Sequence, residues 1–131
     1  MDERQFKNRT RQIALRVIRP VAALPPGKTA DVIGRQLLRS GTSIGANYRA
    51  ACRARSPADM LAKLGIVEEE ADETIYWIEL LVEAEIIQRQ RVDDLLCEVN
   101  EILAMTVASI RTLRSRSPIQ NQKSKIQNRH D

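Results

Sequence analysis

The sequence predicts an all-α protein, an antiparallel up-down-up-down four-helix bundle. Three observations carry that reading. Apolar residues recur at three- and four-residue steps in four separate stretches, the period of a core-facing helix. Glu, Ala, Leu, Arg and Ile dominate the composition, and no long alternating run of β-branched residues occurs. Pro25-Pro26-Gly27 and Pro57 fall at the ends of the apolar stretches, leaving short links between them. A chain of 131 residues suffices for one domain with its own core, here expected over 1–115.

The first helix is expected over 3–24, with Phe6, Ile13, Ala14, Val17, Ile18, Val21 and Leu24 on its apolar face. Pro20 should bend or loosen its last turn, and Pro25-Pro26-Gly27 ends it. The second is expected over 28–55, facing inward with Ala30, Ile33, Leu37, Gly41, Ile44, Gly45, Tyr48 and Cys52. The stretch Ser40 to Asn47 is a poor helix former by propensity. It reads as helix because Gly41 and Gly45 lie one turn apart on the packed side, where small residues let a neighbouring backbone come close. A phosphate-binding loop would need a strand before these glycines, and Val32 to Arg39 reads as helix.

Ser56-Pro57-Ala58-Asp59 is a helix start: a capping hydroxyl, a proline at the first position and an acid at the positive end. The third helix is expected over 57–87 and is greasy on two sides. One stripe is Leu61, Leu64, Ala71, Ile75, Ile78, Val82 and Ile86; the other, roughly opposite, is Ile66, Trp77, Leu80 and Ala84. A second apolar stripe has to be buried against something, so these four residues predict an oligomer interface, with Trp77 as its anchor. The fourth helix is expected over 92–114, with Leu95, Leu96, Val99, Ile102, Leu103, Thr106, Ile110 and Leu113 inward. Residues 116–131 are polar and basic and are expected to be a disordered tail.

Charge divides the chain sharply. Residues 1–55 carry 12 Lys/Arg against 3 Asp/Glu, whereas 56–113 carry 4 against 13. The division can serve pairing within and between subunits. It can also present Arg4, Arg11, Arg16, Arg19, Arg35, Arg39, Arg49 and Arg53 to the phosphates of RNA or DNA. No aromatic platform interleaves these arginines, which argues against sequence-specific reading of single strands, and such binding would be directed to the backbone. Glu68 falls at a core-spaced slot with Asp72 beside the same stripe, and Arg39 or Arg35 is the expected partner in a buried ion pair.

Several chemistries lack their residues. The one histidine is His130, so neither a zinc site nor a Glu-x-x-His di-metal centre is supported, and no metal or cofactor is expected. Cys52 and Cys97 read as reduced packing cysteines of a cytoplasmic protein. No apolar run reaches a membrane span, and no nucleophile–base constellation is visible, so no enzyme is expected.

Three segments resemble a known family: Arg39-Ser40-Gly41-Thr42-Ser43-Ile44-Gly45-Ala46-Asn47-Tyr48, Ser56-Pro57-Ala58-Asp59-Met60-Leu61, and Glu70 through Leu81. They are similar to small bacterial four-helix-bundle proteins first found encoded in insertions of large-subunit ribosomal RNA genes. The resemblance covers about residues 5–114. It implies a ring-like homopentamer without enzymatic activity. It also implies a likeness in fold to the accessory protein of diversity-generating retroelements, which binds a reverse transcriptase and nucleic acid. Two functions follow as expectations: a non-specific RNA- or DNA-binding module using helices 1 and 2, or an adaptor for a protein partner such as a reverse transcriptase.

Overall fold

Asp2 starts the first helix with a reciprocal cap. Its carboxylate accepts from the Gln5 amide at 2.8 Å while the Gln5 side chain accepts from the Asp2 amide at 3.3 Å. The structure, a computed structural model, describes residues 2–116. It holds four α-helices: α1 Glu3–Ala22, α2 Lys28–Cys52, α3 Pro57–Glu83 and α4 Asp93–Ser115, the last preceded by a 3-10 turn at Arg89–Arg91. Among the described residues there is no strand, and no helix is long and apolar enough to cross a membrane. The expected tail lies outside the described residues apart from Arg116.

Helix ends differ from expectation by a few residues, each for a local reason. Pro20 lies inside α1, which continues only to Ala22. Ser56 caps α3 by accepting from the Asp59 amide at 3.0 Å, with Pro57 at the first helical position. α3 stops at Glu83 rather than 87 because Glu85 turns left-handed, at φ 61°. The Glu85 amide then donates to the Val82 carbonyl at 3.0 Å and the Ile86 amide to the Leu81 carbonyl at 2.9 Å. This is the double closure usually built on glycine, and Ile86 packs back against the core that holds Leu81.

All four helices contribute to one core. It includes Phe6, Ile13 and Val17 of α1, Leu37 and Ile44 of α2, Val67, Ala71, Ile78 and Leu81 of α3, and Leu95, Val99 and Ile102 of α4. The α3 stripe therefore runs Leu64, Val67, Ala71, Thr74, Ile78, Leu81. The slot expected for Glu68 belongs to Val67, and Glu68 is half-buried beside it. Ile18, expected inward, is 45% exposed, and Thr10 takes the buried position on that side of α1. Cys97, expected to pack, is exposed, while Cys52 is half-buried.

Two contacts set how α2 sits. A Cβ on Gly41 would fall 2.8 Å from Val17 Cγ2, and one on Gly45 would fall 3.3 Å from Thr10 Oγ1. α1 therefore lies directly on the α2 backbone, as the spacing of the two glycines predicts. On the other flank the buried hydroxyls of Ser40 and Thr74 meet at 3.0 Å. Each also reaches a carbonyl, Ser40 that of Leu37 and Thr74 that of Glu70, so the polar pair in the α2/α3 contact is satisfied.

Two predictions follow from this packing. Gly41→Ala is expected to cost about 1–3 kcal/mol, because Val17 cannot retreat from α2 without repacking. Gly65→Ala, where an added Cβ meets nothing within 4 Å, should gain up to about 1 kcal/mol through helix propensity. Urea midpoints of the two variants should move in opposite directions. Glu85→Gly is expected to raise stability by about 0.5–1 kcal/mol by relieving the left-handed residue. An unchanged or lower midpoint would show that Glu85 is not strained.

Candidate nucleic-acid interface

Helical geometry decides which of the eight arginines can act together. On α1, Arg4 and Arg11 share one outward stripe with Leu15 and Ile18, at spacings of seven, four and three residues. Arg16 lies about 140° around the same helix from Arg11, at about 100° per residue. It falls on the α4 side, where Arg9 reaches Glu98 and Glu101. On α2, Arg35, Arg39, Thr42, Ala46, Arg49 and Arg53 follow one another at three- and four-residue steps along an outward stripe.

The two helices leave an open groove between these stripes. Lys7, Arg11 and Ala14 line it from α1, and Thr42, Gly45, Ala46 and Arg49 from α2, enclosing about 450 Å³. Its floor is made of small residues, and at Gly45 an added Cβ would press on Thr10 at 3.3 Å. Its rim holds three cations. Lys7 pairs with Glu3 at 3.0 Å, with both side chains exposed, so that contact is weak. Lys7 was not among the expected binding residues; its place four residues before Arg11 was the signal for it.

Arg39 is different. Its guanidinium spans Glu70, at 3.1 and 3.2 Å to the two carboxylate oxygens, and Glu73 at 3.1 Å. The Glu70 hydrogen bonds hold its pKa above the usual arginine range. Arg39 is thus paired with carboxylates, although its side chain stays 48% exposed. Its partners also correct the expected pairing with Glu68 or Asp72. Ser40 against Thr74 fixes α2 on α3 so that residues 70 and 73 face Arg39. Asp72 is exposed and Glu68 half-buried, and among the described residues neither has a Lys or Arg within 4.0 Å.

By the same measure Arg4, Arg11, Arg16, Arg19, Arg35, Arg49 and Arg53 have no carboxylate within 4.0 Å among the described residues. All but Arg16 are exposed. Among the described residues, the cationic character of helices 1 and 2 therefore survives folding, with only Lys7, Arg9 and Arg39 of these two helices paired to carboxylates.

The expected interface on α3 rearranges as well. Trp77 packs against the core of its own chain, with its indole N–H buried and without an acceptor among the described residues. Leu80 is half-buried, and Ala84 lies past the helix as its cap. Ile66 is 41% exposed, and Tyr76, which was not singled out, is 57% exposed. An outward apolar surface thus exists on α3, but Ile66 and Tyr76 carry it. Trp77 is half-buried, turned partly toward its own core, where a helix with apolar residues on two sides gives no single period from which to choose a face.

Other chemistry is sparse. Burial pushes the Cys52 thiol up, away from the thiolate that a reactive cysteine needs. Burial likewise raises Tyr48, which stacks at a tilt on Phe6 with ring centroids 4.3 Å apart. Among the described residues no three His, Cys, Asp or Glu side chains come together as a metal site.

The fold and this surface define a small all-helical protein with a cationic helical hairpin. The family model for the 23S rRNA-intervening sequence protein matches residues 3–108, and the chain belongs to that family. A crystal structure at 1.70 Å resolution is similar over 85% of this chain and 99% of its own, with 37% identity and a TM-score of 0.78. It is that of a protein of unknown function from the S23 ribosomal protein family of Bacteroides thetaiotaomicron VPI-5482. No curated protein matches.

Arg39→Ala is expected to cost about 0.5–1 kcal/mol, the range of exposed ion pairs. A double-mutant cycle with Glu70→Ala, read by urea denaturation, should return a coupling of the same size. Zero coupling would show that the pair does not form in solution.

Proposed function

We propose that this chain is a cytoplasmic, non-enzymatic module that binds RNA or DNA along the phosphate backbone through α1 and α2. It does so as an antiparallel bundle assembled into a ring-like homopentamer. The observation that carries the reading is the set of arginines left without carboxylates. Fields from unpaired cations on one hairpin sum over its surface, and polyanions are the ligands that such a surface collects. Arg11 and Arg49, facing each other across a groove with a small-residue floor, are the pair best placed to hold a phosphate chain.

The aromatic residues support backbone binding over base reading. Phe6 and Tyr48 are engaged with each other, and Tyr76 and Trp77 are on α3, so neither lines the groove between α1 and α2. Bases would find no platform on which to stack. The family's name ties its members to 23S ribosomal RNA, which makes structured RNA the first ligand to try. Assembly is supported by the family resemblance and by Leu15, Ile18, Ile66 and Tyr76, exposed side chains that a single chain leaves in water.

The test is retention of a structured RNA across a salt series. Affinity should fall steeply as salt rises, because each neutralised phosphate releases counterions. The double variant R11E/R49E is expected to lose at least tenfold in affinity and to flatten the log–log salt slope by about 2, one unit per phosphate contact. Its mass in solution should stay that of the wild type. Retention insensitive to salt and to these changes would remove the nucleic-acid reading and favour a protein-partner adaptor.

A further inference from the structure

The chain carries two exposed surfaces that complement each other and cannot meet within one molecule. The first lies where α1 and α2 run side by side. Leu15 and Ile18 are 50% and 45% exposed on α1, and Leu38 is exposed on α2. The contact of Val17 with Gly41 sets Ile18 level with Leu38, and the unpaired Arg19 and Arg35 lie alongside. The second is the outward stripe of α3, where Ala62, Ile66, Glu69, Glu73, Tyr76 and Leu80 follow one another at steps of four and three. Ile66 and Tyr76 are its exposed apolar members. Glu69 has no Lys or Arg within 4.0 Å among the described residues.

We propose that Leu15, Ile18 and Leu38 of one copy dock on the Ile66–Tyr76 stripe of the next, with Arg19 and Arg35 against Glu69. The proposal rests on the self-association in the reading above and names the surfaces that make it. Charge settles the pairing. Two α1/α2 surfaces placed together would set arginine against arginine, and two α3 stripes glutamate against glutamate. The complementary contact joins different surfaces of the two partners, so it is head-to-tail. Such a contact closes into a ring when its rotation allows and otherwise runs on as a filament. The docking residues border the groove at its Ala14 and Thr42 end without lining it, and Lys7, Arg11 and Arg49 are not among them.

Head-to-tail contact has a signature that symmetric contact lacks. L15E/I18E spoils one surface and I66E/Y76E the other; all four positions are exposed, and circular dichroism should show wild-type helicity in both variants. Each variant alone is expected at the mass of one chain, 14.9 kDa, by light scattering. Mixed in equal amounts they should form a dimer of twice that mass, because each supplies the surface the other lacks and the spoiled pair blocks further growth. A variant that keeps the wild-type assembly, or dimerises alone, overturns the proposal, as does a mixture that stays at single-chain mass. A wild-type protein that is itself at single-chain mass overturns the self-association reading instead.

Discussion

Everything on the cationic side of this protein depends on how closely α1 lies on α2. Val17 comes within 2.8 Å of where a Cβ of Gly41 would be, and Thr10 stands against Gly45. Glycine inside a helix weakens it by about 1 kcal/mol relative to alanine. Here the loss is offset by contact, since the missing side chains let α1 settle onto the α2 backbone and bury Ile13 and Val17 fully. The same approach fixes the width of the groove above it. Were the helices spread to admit an alanine, Arg11 and Arg49 would no longer share a narrow channel. Packing and surface chemistry thus have one cause in two small residues.

The opposite flank of α2 is held by a different kind of contact. Ser40 and Thr74 are fully buried and bonded to each other, so a slip of α2 along α3 would break that bond and leave each hydroxyl only the carbonyl of its own helix. That directional constraint decides which acids meet Arg39. Apolar contacts alone tolerate a shift of one turn with little change in buried area. A buried hydroxyl pair does not, and Glu70 and Glu73 rather than Glu68 or Asp72 are the result.

Much of this could be read from the residues alone. The four helices, the start of α3 at Ser56-Pro57 and the packed glycines of α2 each have a local signature that tertiary context did not override. The errors share a cause. On α1 and α2 the polar and apolar faces are distinct, and most inward positions were identified correctly. On α3 apolar residues surround the helix, so the core stripe was drawn through Glu68 instead of Val67 and the outer one through Trp77 instead of Tyr76. The end of α3 was placed late because a left-handed glutamate, unlike a glycine, leaves no mark in the sequence. The groove was invisible for another reason: it depends on which arginines of two helices face each other, and no single-helix period contains that information.

Pairing within the subunit would cancel the charge division of the sequence on folding, the cationic hairpin lying on the anionic one. It does not cancel, and geometry explains why. Opposite charges neutralise only across a helix boundary, and the boundary positions are few. Arg9 reaches α4 and Arg39 reaches α3, each holding two glutamates. Residues farther round each helix point to water, since burying them would cost more than an ion pair returns. The cations are therefore displayed on α1 and α2 and the acids on α3 and α4, a separation that a single chain cannot relieve. A partner can relieve it, either a polyanion on the first hairpin or another copy presenting its second. The two use different residues of the hairpin surface: the apolar patch is Leu15, Ile18 and Leu38, and the groove that begins one turn away is lined by Lys7, Arg11 and Arg49.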